Sequence, residues 1–292
     1  MNVGNLKLVF AMLALAPLSV LAGKSVDERW DLNADASISI ENIAGEIIIR
    51  GWDKNEARLT GELGNSVAEL EISASKSSLK INVRNRGQRN INATDLKLMV
   101  PSGASLDVSA VSADIDISDM DNERITASSV SGDVDVEASS QRVSIESVSG
   151  DVSFDGETDR ISAESVSGDI DLSGISGQIE ATTVSGDMDL QAGEIRSGRL
   201  ETVSGDLTVN CEVSDNGKLT AESMSGDVSI YLPSSQSGLF KAQSFSGRIT
   251  TDFGSVEKVK HGPGSHLKYV SGKSGAEVRV ESFSGDIKLK HE

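Results

Sequence analysis

Seven aspartates recur behind the same two residues. The tripeptide Ser-Gly-Asp ends at Asp133, Asp151, Asp169, Asp187, Asp206, Asp227 and Asp286, and two variants, Ser112-Ala113-Asp114 and Ser246-Gly247-Arg248, belong to the series. Carboxylates on a fixed beat could do one piece of chemistry, because hard oxygens stacked in a column offer a ladder of calcium sites. A second acidic series, Glu146, Glu164, Glu201, Glu222 and Glu281, lies two residues before the apolar residue that precedes each Ser. A third, partial one contains Asp116, Asp135, Asp171 and Asp189. The competing reading is turn chemistry. Glycine permits a strained bend, and Ser and Asp side chains bond nearby amides. Calcium asks for about six to eight converging oxygens. A single file of carboxylates does not converge, so turn chemistry is the favoured reading, with divalent cation binding at most weak. The turn glycines are then Gly132, Gly150, Gly168, Gly186, Gly205, Gly226, Gly247 and Gly285. The calcium-binding nonapeptide repeat differs in spacing and carries more glycine.

The remaining reactive side chains offer less. His261 and His266 flank Gly262-Pro263-Gly264, a loop signal, and His291 lies near the end. No carboxylate or thiol set with metal-ligand spacing accompanies them. Gly262 and Gly264 lack the strand-to-helix context of a phosphate loop, and no serine sits in a nucleophile-elbow sequence. Cys211 is the only cysteine, so no internal disulfide forms. No catalytic residue and no cofactor is therefore assigned. The alternative is a carbohydrate-active β-helix enzyme, a polysaccharide lyase or hydrolase. Such a site needs converging carboxylates and aromatic platforms, and Trp30, Trp52, Tyr231 and Tyr269 are dispersed along the chain. An ice-ordering face would need a regular Thr-x-Thr array, which is missing.

The elements that position these residues follow from the repeat itself. Counted from Ala113, the central motif positions are spaced 19, 18, 18, 18, 19, 21, 21 and 38 residues apart. The residue before the Ser is always apolar: Val111, Val130, Val148, Val166, Val184, Val203, Met224, Phe245 and Phe283. Apolar residues also alternate on both flanks, as at Ile125 and Ala127 before the motif and Val134 and Val136 after it. Each unit thus holds two short strands of period two. About five apolar side chains per unit point inward on this reading, the residue before the Ser among them. Ala127 and Val130 are an odd number of residues apart, so the chain must turn or bulge between them. One unit cannot sustain its own core, but a stack can. The expected fold is all-β: a parallel β-solenoid, a single-stranded β-helix of 18–21-residue coils, with an N-terminal strand-rich extension. Nine or so coils at ~4.8 Å would make a rod of ~45 Å.

Composition agrees and adds a compartment. Of 292 residues, 37% are hydrophobic and only 3% aromatic, which suits thin layers of Val, Ile, Leu and Ala. Residues 1–22 read as a signal peptide: Lys7, an apolar run over 8–21, and a cut after Ala22. The run is too short for a comfortable membrane span, and no later segment is apolar enough for one. Removing Lys7 takes the formal charge from −18 to −19. Such a surface opposes nucleic acid and anionic lipid and favours cations or basic partners. The expected localisation is the periplasm, or secreted to the cell surface.

Residues 23–105 form an N-terminal β-strand region leading into the stack, and 106–292 form the Ser-Gly-Asp solenoid. Within the first, Ile43-Ala44-Gly45-Glu46-Ile47 is followed by Gly51-Trp52-Asp53, and Leu96-Lys97-Leu98-Met99-Val100-Pro101 leads to the first repeat. Val228-Ser229-Ile230-Tyr231-Leu232-Pro233 leads to Phe245-Ser246-Gly247, and Gly275-Ala276-Glu277-Val278-Arg279-Val280 precedes Phe283-Ser284-Gly285-Asp286-Ile287. Over residues 36–290 these motifs resemble the "putative adhesin" domain family, built of parallel β-strand repeats. The resemblance implies an adhesin-like or envelope-associated role and brings no catalytic residues. The function expected is an exported, non-enzymatic binding or structural rod whose partner is a protein or another envelope component.

Overall fold

The computed structural model describes residues 18–20, 25–85, 92–259, 263–273 and 275–292. Most of the leader, its cut site, and His261 with Gly262 lie outside the described residues. Among the described residues all regular structure is β. No helix among the described residues is long and apolar enough to cross a membrane.

Seven strands open the chain: β1 (Leu18–Val20), β2 (Ser25–Asp31), β3 (Ser37–Trp52), β4 (Glu56–Glu62), β5 (Val67–Ser75), β6 (Ser78–Asn85) and β7 (Thr94–Pro101). The regular stack follows in β8 (Ser105–Ser129), β9 (Val134–Ser147), β10 (Val152–Glu164), β11 (Ile170–Thr183), β12 (Met188–Thr202) and β13 (Leu207–Ser223). From β8 to β13 each strand pairs in parallel with the next. Val134, Val152, Ile170, Met188 and Leu207 thereby lie above one another. They stack beside Val136, Phe154, Leu172, Leu190 and Val209, all buried. This is the parallel β-solenoid.

The inward residues of one coil explain its length. Val134, Val136, Ala138, Ser140, Val143, Ile145, Ser147, Gly150 and Val152 are buried. Period-two pleating holds except at two turns, Ser140 to Val143 and Ser147 to Gly150, where inward positions are three apart. Two such turns keep the coil at 18 residues and return every side chain to its own column.

This corrects one expectation. Val130 and its equivalents are not among the inward residues. Ser129 takes that place, two residues after Ala127, and the turn then throws Val130 outward. The inward site lies against the backbone of the neighbouring glycine turn, where a small hydroxyl can serve buried N–H and C=O groups and Val cannot.

The ends depart from chain order. The last strands are β14 (Val228–Leu232), β15 (Gly238–Ser244), β16 (Ile249–Thr251), β17 (Glu257–Lys258), β18 (Ser265–Ser271), β19 (Glu277–Ser282) and β20 (Ile287–His291). β19 pairs with β13 on one side and β15 on the other, and β20 lies between β14 and β16. The coil that comes last in sequence is therefore next to last in the stack, and the corner glycines run Gly205, Gly226, Gly285, Gly247. The N-terminus mirrors this arrangement. β3 lies between β8 and the coil made by β6 and β7. Gly45-Glu46 stands over Ala113-Asp114 in register, so the N-terminal region joins the same stack. Antiparallel strands cover the outermost coils: β5 on β6 with β1 outside it, β4 on β7 with β2 outside it, and β18 on β15 with β17 outside it. The outermost strands β1, β2 and β17 pair on one side only.

Candidate binding surface along the Ser-Gly-Asp corner

Each corner is built from five residues, of the form hydroxyl–apolar–Ser–Gly–Asp. In the coil at Gly150, the buried Ser147 Oγ accepts the Gly150 N–H at 2.9 Å and donates to the Gly132 carbonyl one coil away at 3.4 Å. Ser129, Ser165, Ser244 and Ser282 make the same pair of bonds. The hydroxyl column thus closes both ends of a backbone bend that is out of reach of water. Thr183 keeps only the carbonyl bond and Ser223 only the amide bond, and the Thr202 hydroxyl is buried with no hydrogen-bond partner among the described residues.

The glycines stack backbone on backbone. A Cβ on Gly168 would lie 2.0 Å from the Gly150 carbonyl oxygen, and one on Gly226 1.8 Å from that of Gly205. No side chain fits there. Beside them the seven sequence-predicted aspartates form one continuous column. Asp114 Oδ1 accepts the Asp133 N–H at 3.1 Å, and the step repeats at 2.8–2.9 Å from Asp151 through Asp286. The Arg248 N–H donates to Asp286 Oδ1 at 2.7 Å and ends the ladder. Each carboxylate thus accepts a bond from the next coil's backbone, which offsets the repulsion between its neighbours. Among the described residues no group of three His, Cys, Asp or Glu side chains is placed to hold a metal ion.

In the third acidic series, Asp116 pairs bidentately with Arg50 at 2.6 and 2.8 Å. Burial pushes the carboxyls of Asp135 and Asp171 up from their ordinary values. Nearby aspartates add to the rise, and a hydrogen bond from Ser153 partly offsets it at Asp135. Cys211 is buried, and desolvation pushes its thiol up to about 12, so it is a poor nucleophile. His266 faces Glu257 at 3.5 Å, and His291 packs on Phe253 with centroids 4.4 Å apart.

The feature that sequence reasoning missed is the outward column. Val111, Val130, Val148, Val166, Val184, Val203, Met224, Phe283 and Phe245, in stack order, are each 41–59% exposed. They form one apolar line along the corner. The Glu series runs on one side of it and the Asp ladder on the other. At the C-terminal end the Phe245 and Phe283 rings stack, with centroids 4.8 Å apart and planes within 6°. There the line borders a groove of about 510 Å³ whose opposite wall includes Glu201, Glu222 and Glu281. Arg199 pairs with Glu201 and Arg279 with Glu281, leaving Glu222 between them with no ion pair among the described residues. A signal for this phase was present in the sequence. A hydroxyl residue precedes the apolar one in every coil from Ser129 onward, while the apolar one varies from Val to Met to Phe.

The family model for Toastrack DUF4097 matches residues 31–290. No curated protein matches the sequence. Among solved structures, the chain is similar to a "putative adhesin" from Bacteroides fragilis, with 13% identity, TM-score 0.48, and coverage of 91% of this chain and 97% of that one. It is also similar to a "putative cell adhesion protein" from Clostridium sporogenes (12% identity, TM-score 0.24, 92% and 100% covered). A third is a "putative adhesin" from Parabacteroides distasonis (11% identity, TM-score 0.39, 91% and 97% covered). The family match bears out the resemblance read from the opening and closing motifs. With the family pattern spanning nearly all of its length, the chain belongs to the Toastrack DUF4097 family.

Proposed function

We propose that this is an exported, non-enzymatic interaction protein, adhesin-like or envelope-associated, whose contact surface is the apolar column of its corners. One observation carries the reading: nine apolar side chains stand exposed in a single unbroken line. Contiguous exposed apolar surface rimmed by polar groups marks interaction sites in water-exposed proteins. The rigid stack supports this role, since it holds the line straight at no cost in ordering upon binding. The leader over residues 1–22 supports export to the periplasm or cell surface, and the acidic charge argues against nucleic acid as a partner. No organic cofactor is part of the reading.

The test is site-specific photo-crosslinking in producing cells. A photoreactive residue replaces Val166 or Met224 on the column, or Glu137, which points outward on the run after the corner. Discrete adducts with an envelope component from the column positions, absent at Glu137, are expected. Equal or no adducts at all three positions would refute the reading.

A further inference from the structure

We infer that the C-terminal half of the column, from Val184 to Phe245, is a docking groove for a cationic amphipathic helix of a partner protein. The inference rests on the column being a contact surface, and it names what the surface takes.

Charge decides against the other occupants. The apolar line has Glu201, Glu222 and Glu281 along one side, Glu201 and Glu281 already paired with Arg199 and Arg279, and beyond the Ser-Gly step on the other side the ladder Asp187, Asp206, Asp227 and Asp286; at Phe245 the two places are held by Gln243 and Arg248. A second copy would set these columns against their equals, and the chain as a whole carries −18. An anionic lipid surface is repelled in the same way. The complement of an apolar stripe between two acidic columns is an apolar stripe between two basic ones. That is the face of an amphipathic helix with Lys and Arg flanking Leu or Phe.

Spacing separates a helix from an extended segment. The coils repeat every ~4.8 Å, so the four steps from Val184 to Phe245 cover about 19 Å. Four helical turns cover about 22 Å, and the flexible side chains of Met224 and the two phenylalanines can take up the difference. Alternate residues of a strand repeat every ~6.7 Å and would overrun the same four steps by about 8 Å. The residues also grow toward this end, from Val184 and Val203 to Met224, Phe283 and Phe245, and all five line the groove here, whereas the groove of about 600 Å³ at the other end of the column meets it at Val111 alone. A helix of about 13 residues would fill it.

The experiment uses the full mature chain and three labelled peptides of one Leu/Lys composition. One has Leu at helical spacing, one alternates Leu and Lys, and one is scrambled. Fluorescence anisotropy should show the helical peptide binding at least tenfold more tightly than either control, with helix gained on binding by circular dichroism. Met224→Ser and Phe283→Ser should each weaken it at least fivefold, and Glu222→Gln should flatten its salt dependence. Val203→Thr, nearly isosteric, is the mild variant that guards against loss of fold. Equal binding of all three peptides, or indifference to these variants, overturns the inference. So does a dimer in sedimentation that Phe283→Ser converts to monomer, because the occupant is then a second copy. Column crosslinks to an envelope component without preference for the helical peptide would sink the inference alone. Absence of those crosslinks would sink the contact-surface reading as well.

Discussion

At the Ser-Gly-Asp corner the same residue types hold coil after coil in one register, whereas the turn at the far side changes length and backbone between coils. The register at the corner is unbroken from Ala113 to Gly247. At the far turn it slips between Ser118 and Met120, between Asp155 and Thr158, and between Ser173 and Ile175. Between Ile195 and Ser197 a single residue opposes the four at 214–217. Left-handed backbone collects there, at Asp119, Gly174 and Asn216 with φ of 59°, 77° and 63°. The variation from 18 to 21 residues is thus absorbed on one side. The difference teaches where a solenoid keeps its alignment. The corner has stacked carbonyls, buried hydroxyls and a carboxylate ladder, all of which demand registration, and the far turn faces water and demands little. A surface meant to present side chains in a straight line belongs on the registered side.

Substitutions at equivalent residue types on the two turns sharpen the contrast. Gly168→Ala at the corner drives a Cβ into the Gly150 carbonyl and should cost about 3 kcal/mol or abolish folding. Gly193→Ala on the far turn meets the movable Ser176 Oγ at 3.0 Å and the Ile175 carbonyl oxygen at an ordinary 3.7 Å, and should cost less than about 1 kcal/mol. Urea denaturation of both variants measures the gap, and equal losses would break the comparison. Next in size is Ser165→Ala, which leaves the buried Gly168 N–H without its acceptor and should cost about 1–3 kcal/mol. Thr202→Ser runs the other way. A serine can turn to bond the corner as Ser223 does for Gly226, and stability should rise by up to about 1 kcal/mol in the same assay.

The smallest effect concerns charge beside the corner. Burial, helped by Asp189, Asp169 and Asp151, holds the folded Asp171 carboxyl above its ordinary value. The folded state therefore binds more protons than the unfolded one between those two values, and this group's contribution falls as pH rises through that window. At neutral pH the ionised carboxylate is a cost, so Asp171→Asn should raise the melting midpoint there. The gain should be small, because water screens much of the effect. It should vanish once the pH drops below the ordinary carboxylate value.

Much of this was legible in advance. The period, the alternation of Val134 with Val136, and the crowding that forces glycine at Gly150 all follow from local physics, and the parallel pairing follows from the repeat. Two things were not. Hydrophobicity ranks Val130 above Ser129 for a buried place, and only the backbone groups waiting at the turn reverse that order. Stack order at the ends was hidden as well. A period records which residues are equivalent but not which equivalents touch, so nothing local places Gly285 between Gly226 and Gly247. The outward column, and with it the candidate site, depended on the first of these.

Thiol labelling tests that column most directly. Cys211, the chain's only cysteine, is buried with a raised thiol pKa and stays silent. Single cysteines at Val148, Val166, Val184, Val203 and Met224 can then be compared with cysteines at Ser147, Ser165 and Ser223. The phase described above predicts rapid labelling of the native protein at all five apolar positions and protection at the three serine positions until unfolding. Protected apolar positions with reactive serine positions would contradict it.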